Sequence, residues 1–498
     1  MMMNTFSNAL QDNMNYKMTE NGAVAHKTTR SKVYDMFALG AAYRQRSEND
    51  VLLLFREALA EDKDLALKCL FYIRDCVKGQ GERRFFRICF KWFCEKYPNN
   101  AKQLFSIFAT DMCRWDDLIL TALDTKAEDE ALGFIAKQLV LDSYSDNPSL
   151  LAKWCPSENT SSAKTRAAAR KVRHALQLSS KEYRLLLSNL RKRINVLERL
   201  MSANEWDKIE FDKIPSKAGL VYKQAFMRRD LIAKKYSDFI KNENTKVNVK
   251  TLYPYEIVKK AMSARTDVDK AAVEKYWNNQ PDWFKGAAAN MICVVDTSGS
   301  MTWGSGNVNP IDVACSLGMY AAERLNGPFH NRYISFSSRP QLIEIRGVDF
   351  CDKVRRIYRA NLCDNTDLTA VFDLLKRTAL QPNVNKEDIP TTIVVISDME
   401  IDEASGYYHS NRNLWSKASA GTTMERVRKE WAEVGLKMPK LVYWNVNARN
   451  DTILDLGPNV SYVSGCSPVI FEQIMTGVTG YKLMLDKLMS DRYKNIHF

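Results

Sequence analysis

No run of 18 consecutive apolar residues occurs in this 498-residue chain, and its first 17 residues carry no apolar stretch behind a basic start. A membrane-spanning helix and a secretory leader are therefore not expected. Histidine is scarce: His26, His174, His330, His409 and His497 are scattered without ligand spacing, and the eleven cysteines include no Cys-x-x-Cys pair. That argues against a zinc site. The odd, irregularly spaced cysteines fit reduced thiols in the cytoplasm. Also missing are a Gly-x-Ser-x-Gly nucleophile elbow and a Gly-Lys-Ser/Thr phosphate loop. Gly79-x-Gly81 follows no strand pattern and lacks a third glycine at the right spacing, so it is expected to be a turn between helices. With no nucleophile, zinc or phosphate-loop signature in hand, catalysis is not expected.

What the chain does contain is globular: 45% apolar and 26% charged residues, long enough for two or three domains. Its net charge of +13 is lopsided. The first 285 residues hold 49 Lys and Arg against 36 Asp and Glu, whereas the remainder holds 23 of each. A basic first half points to a polyanionic partner, most simply RNA. The most basic segment runs from Lys164 to Arg199, where Tyr183, Leu186, Leu187, Leu190, Ile194 and Leu197 draw a helical stripe and the charged residues fall off it. Arg166, Arg170, Lys171, Arg173, Lys181, Arg184, Arg191 and Lys192 are the candidate phosphate contacts, and a merely solvated basic face is the alternative.

The strongest signal is Met291-Ile292-Cys293-Val294-Val295-Asp296-Thr297-Ser298-Gly299-Ser300. Five apolar residues in a row read as a parallel strand buried on both faces. The turn that follows brings one carboxylate and two hydroxyls to a strand's carboxyl end, where open α/β sheets bind ligands. Such oxygen donors suit a hard divalent cation. Downstream, strand patterns at 333–336, 342–345, 393–396, 441–444 and 460–463 alternate with helical ones near 310–325, after 366 and at 424–434. That alternation predicts a doubly wound, mostly parallel sheet.

Asp296-x-Ser298-x-Ser300 after a strand resembles the metal-ion-dependent adhesion site (MIDAS) of von Willebrand factor A (vWA) domains, and Thr366 and Asp398 stand where that pattern places its remaining donors. The resemblance implies that Ser298, Ser300 and Thr366 touch Mg²⁺ (or Mn²⁺ or Ca²⁺) directly, with Asp296 and Asp398 acting largely through water. It also implies an open position for a carboxylate from a protein partner. Glu400, Asp402 and Glu403 crowd the next turn, as a secondary cation contact or as a solvated acidic loop.

A helical region ahead of such a domain resembles the TROVE-vWA architecture of Ro proteins, whose helical repeats bind structured RNA and RNA ends. Landmarks such as Tyr72-Ile73-Arg74-Asp75, Lys153-Trp154-Cys155-Pro156 and Ser464-Gly465-Cys466-Ser467 are similar to an uncharacterised Ro-like family of phages, plants and fungi. The expected layout is a mobile leader over 1–29, a basic helical HEAT-like or TROVE-like domain over 30–285, a vWA domain over 286–480 and a tail over 481–498. The expected function is a non-enzymatic RNA-binding scaffold that engages an acidic partner through a cation. The alternative is a metal-dependent protein-interaction adaptor without nucleic acid.

Overall fold

The structure, a computed structural model, describes residues 15–249, 251–286, 289–302, 304, 308–337, 339–360, 367–401 and 422–498. These fall into two units. One runs to Cys69 and resumes over Leu252–Arg492; the other comprises Leu70–Thr251 and Tyr493–Phe498.

The first unit is built on a six-stranded sheet. Its strands, numbered after the short N-terminal pair β1 (Tyr16–Met18) and β2 (Val24–His26), are β3 (Met291–Asp296), β4 (Arg332–Phe336), β5 (Leu342–Glu344), β6 (Thr392–Ser397), β7 (Lys440–Asn445) and β8 (Val460–Ser464). Their order is β5-β4-β3-β6-β7-β8, parallel throughout except for the edge strand β5. The chain thus starts in the middle, winds out to one edge, and crosses back to wind out to the other. The crossover falls between β3 and β6, and the carboxyl ends there are where open sheets of this kind bind ligands. All six residues of β3 are buried, as its unbroken apolar run requires. Helix Pro310–Arg324 covers it so closely that a Cβ on Gly318 would meet Val295 Cγ2 at 2.5 Å.

Three expected boundaries move. Helices Pro254–Ser263 and Asp267–Asn278 belong with the sheet, because Trp277 stacks on Phe350 (4.6 Å) and donates Nε1–H to Glu323 (2.6 Å). Residues 15–29, expected as part of a leader, instead form the β1–β2 hairpin. His26 and Ile453 exchange backbone hydrogen bonds (2.6 and 3.1 Å), and the next helix, Lys32–Leu39, packs on β8, where Tyr34 Oη accepts from Tyr462 N (3.0 Å). At the other end, residues 481–498 are not a loose tail. Helix Gly480–Leu488 buries Leu483, Met484 and Leu488, and Tyr493 is fully buried with its hydroxyl on Asp75 (3.0 Å). Both mis-drawn ends have one cause. Their apolar residues are too sparse to show a local period, yet each fills a place in a core built from distant chain.

The second unit is helical, with a phenylalanine cluster of Phe71, Phe86, Phe90 and Phe108 at its centre. Beside it lies the buried ion pair of Arg74 and Asp117 (2.6 Å), extended by Arg87 on Asp117 (2.7 Å). Gly79-x-Gly81 is the expected turn. A Cβ on Gly79 would lie 2.1 Å from the Tyr72 carbonyl, and Gly81 sits at φ 66°. The helical stripe expected to continue through Leu197 breaks. Helix Ser180–Arg193 ends as Asn195 turns left-handed (φ 50°), Val196 N bonds back to Arg191 O, and a new helix spans Leu197–Ser202.

Candidate metal centre

Asp296 closes β3 and Asp398 directly follows β6, so the two carboxylates stand on either side of the crossover. Both side chains are fully buried. Asp296 accepts from the Ser298 amide (2.9 Å) and from Ser397 Oγ–H (2.5 Å). Parallel register explains the second bond: Val295 faces Ile396, so Asp296 and Ser397 are the next pair along and share a sheet face. Ser298 and Ser300 hydroxyls lie 3.0 Å apart, and the Ser300 side chain hydrogen-bonds Asp398. Four of the five expected donors, Asp296, Ser298, Ser300 and Asp398, are thereby linked into one cluster. Thr366 lies outside the described residues.

Burial pushes the Asp296 carboxyl up to about 7, and the charge of Asp398 adds to the shift. Burial also raises Asp398, but the Arg449 guanidinium (3.1 Å from Oδ2) pulls it back. Two buried carboxylates with one cation between them are short of positive charge. A hard divalent ion would satisfy both, and the hydroxyls of Ser298 and Ser300 would complete an oxygen-only set, so the residues fit such an ion. Among the described residues no group of three or more His, Cys, Asp or Glu side chains gathers as a metal cage. Any cation here would lean on hydroxyls and water.

The sequence reading named Glu400 but missed how it and its partners brace this cluster. Glu400, fully buried, accepts from the Glu20 amide (2.8 Å) and from Thr452 Oγ–H (3.0 Å), while Asn21 Nδ2 bonds its carbonyl (2.8 Å). Arg449 meets Glu20 at 2.8 Å with its other arm. Glu400 is thus not part of a solvated loop; Asp402 and Glu403 lie outside the described residues. No local motif marks Arg449 or Glu20, which the fold alone brings here from opposite ends of the chain.

The basic candidates in the helical unit divide. Arg191 is committed to the carbonyls of Ala152 and Cys155 and to Ser157. Lys171 pairs with Asp124 and Glu128, Arg173 with Glu158, and Arg166 bonds the carbonyls of Thr160 and Ser161. Arg170, Lys181, Arg184 and Lys192 are exposed, Arg184 touching a carbonyl of its own helix.

A family model described as Domain of unknown function (DUF2828) matches residues 19–117 and 107–301, together more than half the chain. The chain belongs to that family. A second model, Domain of unknown function (DUF7788), matches residues 290–486 and so spans every described strand of the DUF2828 chain's six-stranded sheet. The chain is 29% identical over 505 residues to Uncharacterized protein L728 of Acanthamoeba polyphaga mimivirus, covering 93% of this chain and 85% of that protein. Among solved structures, the crystal structure of the Ro (RSR) protein of Deinococcus radiodurans aligns with 90% of this chain and 100% of its own at 13% identity, with a TM-score of 0.43.

Proposed function

We propose that this chain is a non-enzymatic, Ro-like scaffold. Its sheet unit binds a divalent cation, Mg²⁺ or Mn²⁺, at a vWA-type MIDAS and through it an acidic protein group, while its basic helical unit holds RNA. The observation that carries the cation reading is the meeting of Asp296 and Asp398, both buried, across the crossover with Ser298 and Ser300 between them. Few direct anionic ligands would leave the ion electrophilic and ready for a partner carboxylate. RNA rests on the excess charge of the first 285 residues and on exposed Arg170, Lys181, Arg184 and Lys192. Calorimetry with Mn²⁺ tests the first part: the wild type should give heat and Asp296→Ala none. Absence of heat from the wild type removes it. For RNA, purified protein should carry nuclease-removable absorbance at 260 nm, and its gel shift should weaken steeply with salt.

A metal-dependent adaptor without nucleic acid is the second reading. It is favoured by the internal bonds that occupy Arg166, Lys171, Arg173 and Arg191. A clean protein spectrum with intact Mn²⁺ binding would select it.

A further inference from the structure

The helical unit contains a cavity of about 690 Å³ that none of the metal chemistry uses. Trp154, Leu187 and Val196 give it an apolar wall, Lys153 and Arg184 give it charge, and Ser188 stands among them. Its volume lies within the roughly 300–1,000 Å³ of small-molecule sites. The Trp154 indole carries the Arg114 guanidinium over its ring at 4.0 Å, which fixes its plane. Arg191, also in the wall, is held on three sides by backbone and Ser157, so it braces the loop bearing Trp154. Arg184 differs: among the described residues its side chain bonds the Ser180 carbonyl (3.2 Å) and pairs with no carboxylate.

Glu198 and Arg199 also line the wall, and among the described residues the buried atoms Glu198 Oε2 and Arg199 Nε have no hydrogen-bond partner. Glu198 is steered by Tyr222 on its other oxygen (3.2 Å) and by Lys153 at 3.9 Å, and Arg199 by Glu205 (2.8 Å). Both atoms are buried behind the wall, so what the cavity offers a ligand is the indole and the cations. A flat ring for the indole and an anion for Arg184 and Lys153 together describe one chemistry.

We propose that this cavity binds a nucleoside monophosphate unit, with the base against Trp154 and the phosphate at Arg184 and Lys153. The site goes beyond the scaffold reading, because a free nucleotide and the terminal nucleotide of a single strand present the same groups. Fluorescence anisotropy of mant-AMP on the full chain tests it. Arg184→Glu leaves the packing untouched, since the side chain is exposed, and should weaken mant-AMP at least tenfold. Ser188→Trp, also at an exposed position, should fill the cavity and do the same, with circular dichroism and melting unchanged. Displacement by AMP alone assigns a free nucleotide; tighter displacement by a 5′-phosphorylated hexanucleotide assigns a strand end. No mant-AMP binding by the wild type, or binding that neither variant weakens, overturns the proposal. An RNA gel shift separates the two claims. Lost RNA binding with retained mant-AMP binding would sink the scaffold reading alone, and the reverse would sink this site alone.

Discussion

Arg449 lies 3.1 Å from Asp398 and 2.8 Å from Glu20, so one guanidinium ties the candidate metal centre to a turn at residues 19–22. It supplies the positive charge that Asp398 needs when no cation does so. The two would then compete for the same carboxylate.

Arg449→Ala should therefore destabilise the cation-free protein and enlarge the response to Mg²⁺. With Asp398 fully buried and Arg449 about a quarter exposed, the loss should fall at or below the low end of the ~3–5 kcal/mol for breaking a buried pair. Thermal melts with and without Mg²⁺ read both effects. A cation-induced rise in Tm no larger than that of the wild type would refute the competition.

Asp296→Asn keeps the shape of the side chain while removing a charge that burial and Asp398 both disfavour. The cation-free variant should be as stable as the wild type or more so, and its Tm should no longer respond to Mg²⁺. Loss of stability in the absence of cation would show that the carboxylate is structural.

Arg74→Leu should cost about 3–5 kcal/mol, because it leaves Asp117 charged and fully buried with only Arg87 and the Arg114 amide, among the described residues, to offset it. Urea unfolding of the variant measures it. The double change Arg74→Leu with Asp117→Asn should recover much of the loss, since the stranded charge is then gone.

His26 provides a pH test. Burial holds its imidazole below the ordinary value, although Glu425 lies 3.9 Å away, because that carboxylate is largely exposed and at the edge of pairing distance. A depressed histidine stabilises the fold while neutral. This contribution is complete above the unfolded value of about 6.5 and is lost as pH falls below it, with a slope of at most about 1.4 kcal/mol per pH unit. Stability at pH 5.5 and 7.5 should differ less in His26→Gln than in the wild type.

The sheet was legible because its information is local. The apolar runs of β3, β6, β7 and β8, and the aspartates that end the first two, are contiguous, and the structure sets these runs at the expected places. Of the expected donors, Asp296 was likewise legible from a strand end, and Asp398 from the MIDAS resemblance. What escaped was whatever depends on register or distant closure. Ser397 acts on Asp296 because two strands align, and Glu20 reaches Arg449 because a hairpin docks on residue 453. The basic segment misled for a related reason. Spacing shows which arginines leave the apolar stripe, but not that Arg191 turns inward to cap the loop at Ala152 and Cys155.

The hairpin's place in the sheet unit also bears on how the protein is made. Its strands emerge from the ribosome early, but their docking site at Ile453 and β8 comes only after all of Leu70–Thr251 and most of the sheet. At about 5–20 residues per second the segment Leu70–Thr251 alone occupies roughly 10–40 s of translation. Most of the helical unit can settle in that interval, with buried Tyr493 joining it later, whereas the hairpin has to wait for the distant residues it docks on.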